Sequence, residues 1–169
     1  IVAVDTEKKK LDTLLLDSKR MGIQIIKTQQ ADILKTSIKT FDTYFDRVLI
    51  DSPCTGLGVL RRNPDTKWKR SKKDILRLAA KQKKILNAGA NLVKPGGILV
   101  YAVCSCEKEE NEDVISYFLN KRKDFSIDKH IQSDNYSILM TNEGFLKTYP
   151  DTHNMDGFFA VRLKRKNKD

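Results

Sequence analysis

Six successive apolar residues, Ile98 to Val103 (ILVYAV), constrain what this 169-residue chain can fold into more than any other stretch. A strand with one wet face alternates apolar and polar side chains. A run without alternation reads as a strand covered on both faces, as in a parallel sheet flanked by helices. The preceding residues agree. Ile75, Leu78, Ala79, Ile85, Leu86, Ala90 and Val93 recur at helical spacing and predict a helix from Ile75 to Val93, with Asp74 after Ser71 in its N-cap region. Pro95, Gly96 and Gly97 then predict a tight turn into the strand.

The rest of the chain repeats the alternation. IVAVD (1 to 5) reads as a strand ending in an acid. Leu11, Leu14, Leu15 and Met21 give Glu7 to Met21 a helical stripe that Gly22 stops. Ile23, Ile25 and Ile26 predict a short strand, and 33 to 44 a connecting loop. Val48, Leu49 and Ile50 form the next strand, behind turn formers from Phe41 to Asp46. After the central strand, Glu107, Glu109, Glu110 and Glu112 open a helix, favourably for its dipole, and Val114, Ile115, Phe118 and Leu119 give it an apolar face. Residues 124 to 143 read as irregular. Phe145 to Thr148 and Gly157 to Leu163 read as late strands either side of a loop holding His153. The order predicts one α/β domain with a mostly parallel sheet and a late antiparallel strand.

In such a sheet, ligands bind beyond the carboxyl ends of the strands. One strand releases into Asp51, Ser52, Pro53 and Cys54, and the central one into Cys104, Ser105 and Cys106. Arg61, Arg62, Lys67, Lys69, Arg70, Lys72 and Lys73 follow the first exit, interleaved with Trp68. The net charge is +10, which points to a polyanionic partner, RNA or DNA before a membrane surface. No apolar run approaches the ~18 residues of a membrane span, and no signal peptide is read. Three cysteines, an odd and low count, argue for free thiols in a reducing compartment, so a cytoplasmic protein is expected, or a nucleolar one in a eukaryote. Cys104-x-Cys106 lacks two further clustered ligands, and the histidines are His130 and His153, so no metal site is expected. IVAVD with its helix reads as the second strand of a nucleotide-binding half, yet no Gly-rich phosphate-type loop of the right order occurs. A fragment lacking the first strand and that loop is therefore expected.

Several stretches together resemble the Nop2/Sun group of RNA 5-methylcytosine methyltransferases, within it the bacterial Sun/Fmu type that acts on small-subunit ribosomal RNA. They are IVAVDTEKKKLDTLL, QADILK, DSPCTGLGVLRRNPDTKW, LVKPGGILVYAVCSCEKEENEDVI and HNMDGFFAVRLKR. Two residues depart from the pattern: Val103 stands for the usual threonine, and Cys106 for an aliphatic residue. The resemblance implies a Rossmann-like fold that uses S-adenosylmethionine, with a catalytic part over 1–164 and a basic tail over 165–169. It implies Cys104 as nucleophile towards cytosine carbon 6, Cys54 as the thiol that assists release, and Asp51 near ring nitrogen 3. It further implies Asp5 on the cofactor's ribose hydroxyls and Asp32 on its adenine amino group, with Asp51 and Pro53 also facing the cofactor. Arg61, Arg62, Lys67 and Trp68 are the expected RNA contacts of a monomer, although Trp68 could equally anchor the core. Two other readings compete. One is a noncatalytic RNA-binding module of the same fold. The other is a DNA cytosine-5 methyltransferase, whose nucleophile would be the cysteine after proline, Cys54, and which needs no second cysteine at a strand exit.

Overall fold

Residues 1–36, 40–41, 43–129 and 134–167 are described by the computed structural model, which divides into two units, Ile1–Thr43 and Tyr44–Asp169. In the first, β1 (Val2–Asp5) leads into α1 (Lys8–Arg20), whose inner face buries Leu11 and Ser18. Lys19 and Arg20 in its last turn suit the negative end of the dipole. Gly22 stops the helix as expected, at a φ of 72°. Its N–H donates to the Lys19 carbonyl at 3.1 Å and the Ile23 N–H to that of Ser18 at 2.8 Å, a Schellman closure. This closure consumes Ile23. The strand expected over Ile23, Ile25 and Ile26 lies instead at β2 (Lys27–Gln30), parallel to β1, with Asp5 opposite Gln30. Backbone pairing with β1 sets that strand; its side chains, KTQQ, carry no apolar signal.

The second unit holds β3 (Phe45–Asp51), α2 (Thr66–Lys69), α3 (Lys72–Ala90), β4 (Val93–Val103), α4 (Glu112–Lys121), β5 (Phe125–Ile127), β6 (Phe145–Thr148), α5 (Pro150–His153) and β7 (Phe158–Arg165). β3 and β4 are parallel, β7 runs antiparallel along β4, and β5 and β6 pair antiparallel with different stretches of β7. The late antiparallel element is thus three strands, and β5 lies in the segment that reads as irregular. β3 begins at Phe45, so Phe45 and Asp46 are strand and not turn.

α3 starts earlier than the apolar stripe suggests. Ser71 is its N-cap, and the Asp74 carboxylate accepts from the Ser71 N–H at 3.1 Å and hydroxyl at 2.8 Å. It ends at Ala90, and Val93 already pairs with Phe45. Because the next pair is Arg47 with Ile98, Lys94 to Gly97 form a bulge inside β4 and not a turn before it. No residue of Ile98–Val103 is exposed, as the apolar run predicts. Leu86, Leu99, Tyr101, Val114, Phe159 and Leu163 are fully buried where α3 and α4 meet the sheet. Each such aliphatic or aromatic side chain contributes about 1.5–3 kcal/mol of burial. At the far end, Arg165 is not tail: it is the last residue of β7. Arg165 donates to the Val93 carbonyl at 2.6 Å and pairs with Asp124 at 3.2 Å.

Candidate active site

The parallel pairing of β3 and β4 places both strand exits side by side. Asp51 is opposite Ala102, and the Ser52 N–H donates to the Ala102 carbonyl at 2.9 Å. Both chains then leave the sheet together, so residues fifty apart in sequence meet: the Cys54 and Cys104 sulfurs are 3.1 Å apart. All three cysteines are free thiols. The contact splits the pair electrostatically. Hydrogen bonding with Cys104, and then burial, push Cys54 far above the ordinary thiol range. Cys104 is more open, and the bond from Cys54 draws it down to about 7, against burial and the charges of Asp51 and Glu110. One thiol therefore keeps its proton and points it at a sulfur that gives its own up near neutrality. Cys106, two residues on, is pushed up by burial and joins no such pair.

The loops carrying the two thiols are fastened by residues that sequence reasoning passes over. Glu110 is fully buried. Its carboxylate accepts from the Thr55 N–H at 2.9 Å, the Thr55 hydroxyl at 2.5 Å, the Ser105 hydroxyl at 2.6 Å and the Gln82 amide at 2.9 Å. The Gln82 amide also donates to the Pro53 carbonyl at 3.0 Å. Glu110 was expected on the open first turn of a helix. The structure instead gives a 3-10 turn, Lys108–Glu110, before α4, with Glu110 turned inward. A signal existed: Glu110, Val114 and Phe118 are four apart, which places Glu110 in line with the apolar stripe. Arg70 donates from Nε to the Thr55 carbonyl at 3.0 Å, and no sequence feature separates it from its cationic neighbours.

A third chain segment closes on the same loops. The Gly58 N–H donates to the Cys104 carbonyl at 3.1 Å, and the Gly157 N–H to the Gly58 carbonyl at 2.7 Å. Arg61 donates to the Asn154 side chain at 3.2 Å, and Arg62 pairs with Asp156 at 2.5 Å. Arg62 thus has a countercharge and Arg61 a neutral partner. Trp68 is 82% exposed with the Lys67 ammonium 5.3 Å from its ring, which rules out a core anchor. His153, expected as an exposed loop residue, is half-buried in α5 and accepts the Tyr149 N–H on Nδ1 at 3.0 Å. His130 lies outside the described residues. Asp51 and Pro53 are exposed at the β3 exit.

In the first unit, Asp5 ends β1 and Asp32 follows β2, so both half-buried carboxylates stand at one edge of the two-stranded sheet. Asp5 Oδ1 accepts the Glu7 N–H at 2.8 Å and Asp32 Oδ1 the Leu34 N–H at 3.0 Å. One oxygen of each is so committed to holding the side chain, leaving Oδ2 to accept from a hydroxyl or amino group. That suits a nucleoside. Among the described residues no cluster of His, Cys, Asp or Glu is arranged to hold a metal, and no helix is long and apolar enough to cross a membrane.

Known proteins resemble this chain along nearly its whole length. The ribosomal RNA small subunit methyltransferase B of Shewanella oneidensis is 36% identical over 168 residues, covering 96% of this chain and 37% of its own length. The probable ribosomal RNA small subunit methyltransferase B of Bacillus subtilis is 34% identical, covering 98% and 38%. The chain thus spans less than half of these relatives. The crystal structure of NSun6 from Pyrococcus horikoshii with SFG, an analogue of S-adenosylmethionine, superposes with a TM-score of 0.82 at 30% identity, covering 100% of this chain and 42% of that one. Methyltransferases such as NodS of Bradyrhizobium japonicum, 13% identical with a TM-score of 0.54, share the fold alone. The sequence pattern of 16S rRNA methyltransferase RsmB/F matches residues 1–164, and with these relatives it shows that the chain belongs to the RsmB/F family of the Sun/Nop2 group.

Proposed function

We propose that this chain methylates carbon 5 of a cytosine in ribosomal RNA, using S-adenosylmethionine and a transient bond from Cys104 to the base. The observation that carries the reading is the 3.1 Å approach of the Cys54 and Cys104 sulfurs at two adjacent parallel-strand exits. Carbon 5 of cytosine is too weak a nucleophile to take a methyl group unaided. Cys104 thiolate adds to carbon 6, and the electron pair moves through the ring to make carbon 5 nucleophilic. Asp51, exposed beside the pair, supports the charge that this addition places near nitrogen 3. S-adenosylmethionine, when bound, supplies the methyl group on a sulfonium. Loss of the carbon 5 proton to a base then re-forms the double bond as the carbon–sulfur bond breaks and Cys104 leaves as thiolate. Cys54, held protonated against Cys104, serves that release. The target base must leave its stack for Cys104 to reach it.

Asp5 and Asp32 are assigned to the ribose hydroxyls and the adenine amino group of the cofactor. Asp5→Ala should weaken S-adenosylmethionine binding by at least tenfold in calorimetry of the full-length protein, the loss expected when hydroxyl donors lose a charged acceptor (about 1.5–3 kcal/mol). Unchanged affinity would remove Asp5 from the site.

The RNA surface is assigned to Arg61, Lys67 and Trp68, with Lys72, Lys73, Lys81 and Lys84 exposed along α3 beyond them. Arg62 contributes less, because Asp156 already neutralises it. Arg61→Ala should weaken RNA binding and lower the slope of log affinity against log salt by about one, as loss of one phosphate contact does. An unchanged slope would confine Arg61 to holding Asn154. The reading as a whole is tested by transfer of labelled methyl from S-adenosylmethionine to small-subunit ribosomal RNA, followed by digestion to nucleosides. Label in 5-methylcytidine is expected. Label in another nucleoside would overturn it, and RNA binding without transfer would leave the noncatalytic module.

A further inference from the structure

We propose that Glu110 is a positioning residue that keeps the two thiols in contact, by tying Thr55 on the Cys54 loop to Ser105 beside Cys104. This rests on the thiol chemistry proposed above and extends it to a residue that touches neither substrate nor cofactor. The first ground is the geometry of its bonds. Oε1 accepts from the Thr55 N–H and the Gln82 amide, and Oε2 from the Thr55 and Ser105 hydroxyls. Thr55 follows Cys54 directly, and Ser105 follows Cys104 directly. One carboxylate therefore bridges the residues next to both sulfurs. Its own backbone is fixed too, since the buried Tyr101 hydroxyl donates to the Glu110 carbonyl at 2.7 Å.

The second ground is what the arrangement costs. Glu110 is fully buried and forms no ion pair among the described residues. Four hydrogen bonds offset part of the cost of burying this carboxylate, but no opposite charge does. What a carboxylate provides is acceptor capacity on two oxygens, enough to hold three separate segments at once. Glutamine can approximate this. Its oxygen can take the place of Oε1, and its amide can donate to the two hydroxyls, which rotate to accept. Alanine cannot.

The charge and the tie act on Cys104 in opposite directions, which makes them separable. The groups that bear on Cys104 are Cys54, Asp51 and Glu110. The hydrogen bond from Cys54 is the largest influence and lowers Cys104; the Glu110 charge is a small one and raises it. Losing the charge alone should therefore make Cys104 slightly more acidic. Losing the tie should let the sulfurs part and make Cys104 less acidic, whatever the charge does.

The test is the pH dependence of Cys104 alkylation by iodoacetamide in the full-length protein, in a Cys106→Ser background, with the modified residue identified by mass spectrometry. The parent should titrate at about 7. Glu110→Ala should titrate near the ~8.5 of a free thiol, cutting alkylation at pH 7 on the order of tenfold. Glu110→Gln should restore the midpoint to 7 or below. Ser105→Ala keeps the carboxylate and cuts its bond to the Cys104 side, and Thr55→Val keeps it and cuts one of its two bonds to the Cys54 side, so both should shift the midpoint upward, the first by more, and they decide the matter if Glu110→Ala does not fold. The proposal is overturned if Glu110→Ala and Glu110→Gln both move the midpoint down together, or if Thr55→Val and Ser105→Ala leave it at the parent value. Alkylation needs neither RNA nor cofactor. A shifted midpoint in a protein that transfers no methyl group would sink the methyltransferase reading and keep the tie.

Discussion

Cys104→Ala should abolish methyl transfer, whereas Cys54→Ala should accumulate a protein–RNA adduct that survives denaturing electrophoresis. The asymmetry follows from the 3.1 Å contact and from which sulfur keeps the proton. Without Cys104 no bond to carbon 6 can form, and the loss should be on the order of 10⁴–10⁶ in single-turnover rate, as when a covalent nucleophile is removed elsewhere. Without Cys54 the attack can still occur, but the group to which the proposed mechanism assigns release is gone, so the reaction should stop after bond formation. The pH profile adds an independent check. In the proposed mechanism Cys104 attacks as thiolate, and its value is lowered to about 7, so the single-turnover rate should climb about tenfold per pH unit below 7 and level off above it. Cys54 lies far above that window and stays protonated throughout. In the Cys54→Ala variant the donor to Cys104 is lost, and formation of the adduct should need higher pH. If Cys54→Ala lost all reactivity while Cys104→Ala still formed an adduct, the two roles would be exchanged. That outcome would also revive the reading in which the cysteine after proline attacks.

The thiol pair was legible because it depends on parallel pairing, and parallel pairing on the two apolar runs. Val48–Ile50 and Ile98–Val103 needed only to be neighbours for Cys54 and Cys104 to converge. Where the fold escaped the sequence, backbone hydrogen bonds outweighed side-chain pattern. β2 is a polar strand set by backbone pairing with β1, while Ile23 went to closing α1. Lys94 to Gly97 carries a turn composition, yet it bulges within β4, because Val93 had already joined the sheet. Glu110 escaped for a different reason. An acid in an acidic run looks solvated, and only its spacing from Val114 and Phe118 marks it as inward. Asp5 was legible as a strand-end acid, Asp32 only through the resemblance, because the polar strand before it gave no signal. Trp68 was not legible: a lone tryptophan among lysines fits a core anchor or a surface platform equally well until its exposure is known.

Gly58→Ala should slow methyl transfer on the order of 10²-fold, although Gly58 bears no functional group. An added Cβ would fall inside van der Waals contact with the Gly157 carbonyl oxygen, 2.7 Å from the carbonyl carbon of Gly157 and 3.0 Å from that of Cys104. All three are backbone atoms, so no side-chain rotation can make room. The Gly58 backbone is also bonded on both sides, to the Cys104 carbonyl through its N–H and to the Gly157 N–H through its carbonyl. Relieving the clash means pushing apart the Cys104 exit and the Gly157 loop. Overpacking of this kind costs about 1–3 kcal/mol, which at about 2–4 °C per kcal/mol should lower the melting temperature measurably without unfolding the protein at 25 °C. The rate should suffer more than the stability, because a displacement of about 1 Å at a reacting group costs on the order of 10²-fold. Thermal unfolding and single-turnover methyl transfer on the same preparation separate the two effects. Gly56→Ala provides the contrast. Gly56 adopts a φ of 73°, so alanine there is strained, but the nearest atom to its Cβ is a Val59 methyl at 3.9 Å. Strain of that kind weakens the fold by about 1–2 kcal/mol without pressing on Cys104. A Gly58→Ala protein that melts lower yet turns over at the parent rate would mean that the position of the Cys104 exit is not held through Gly58.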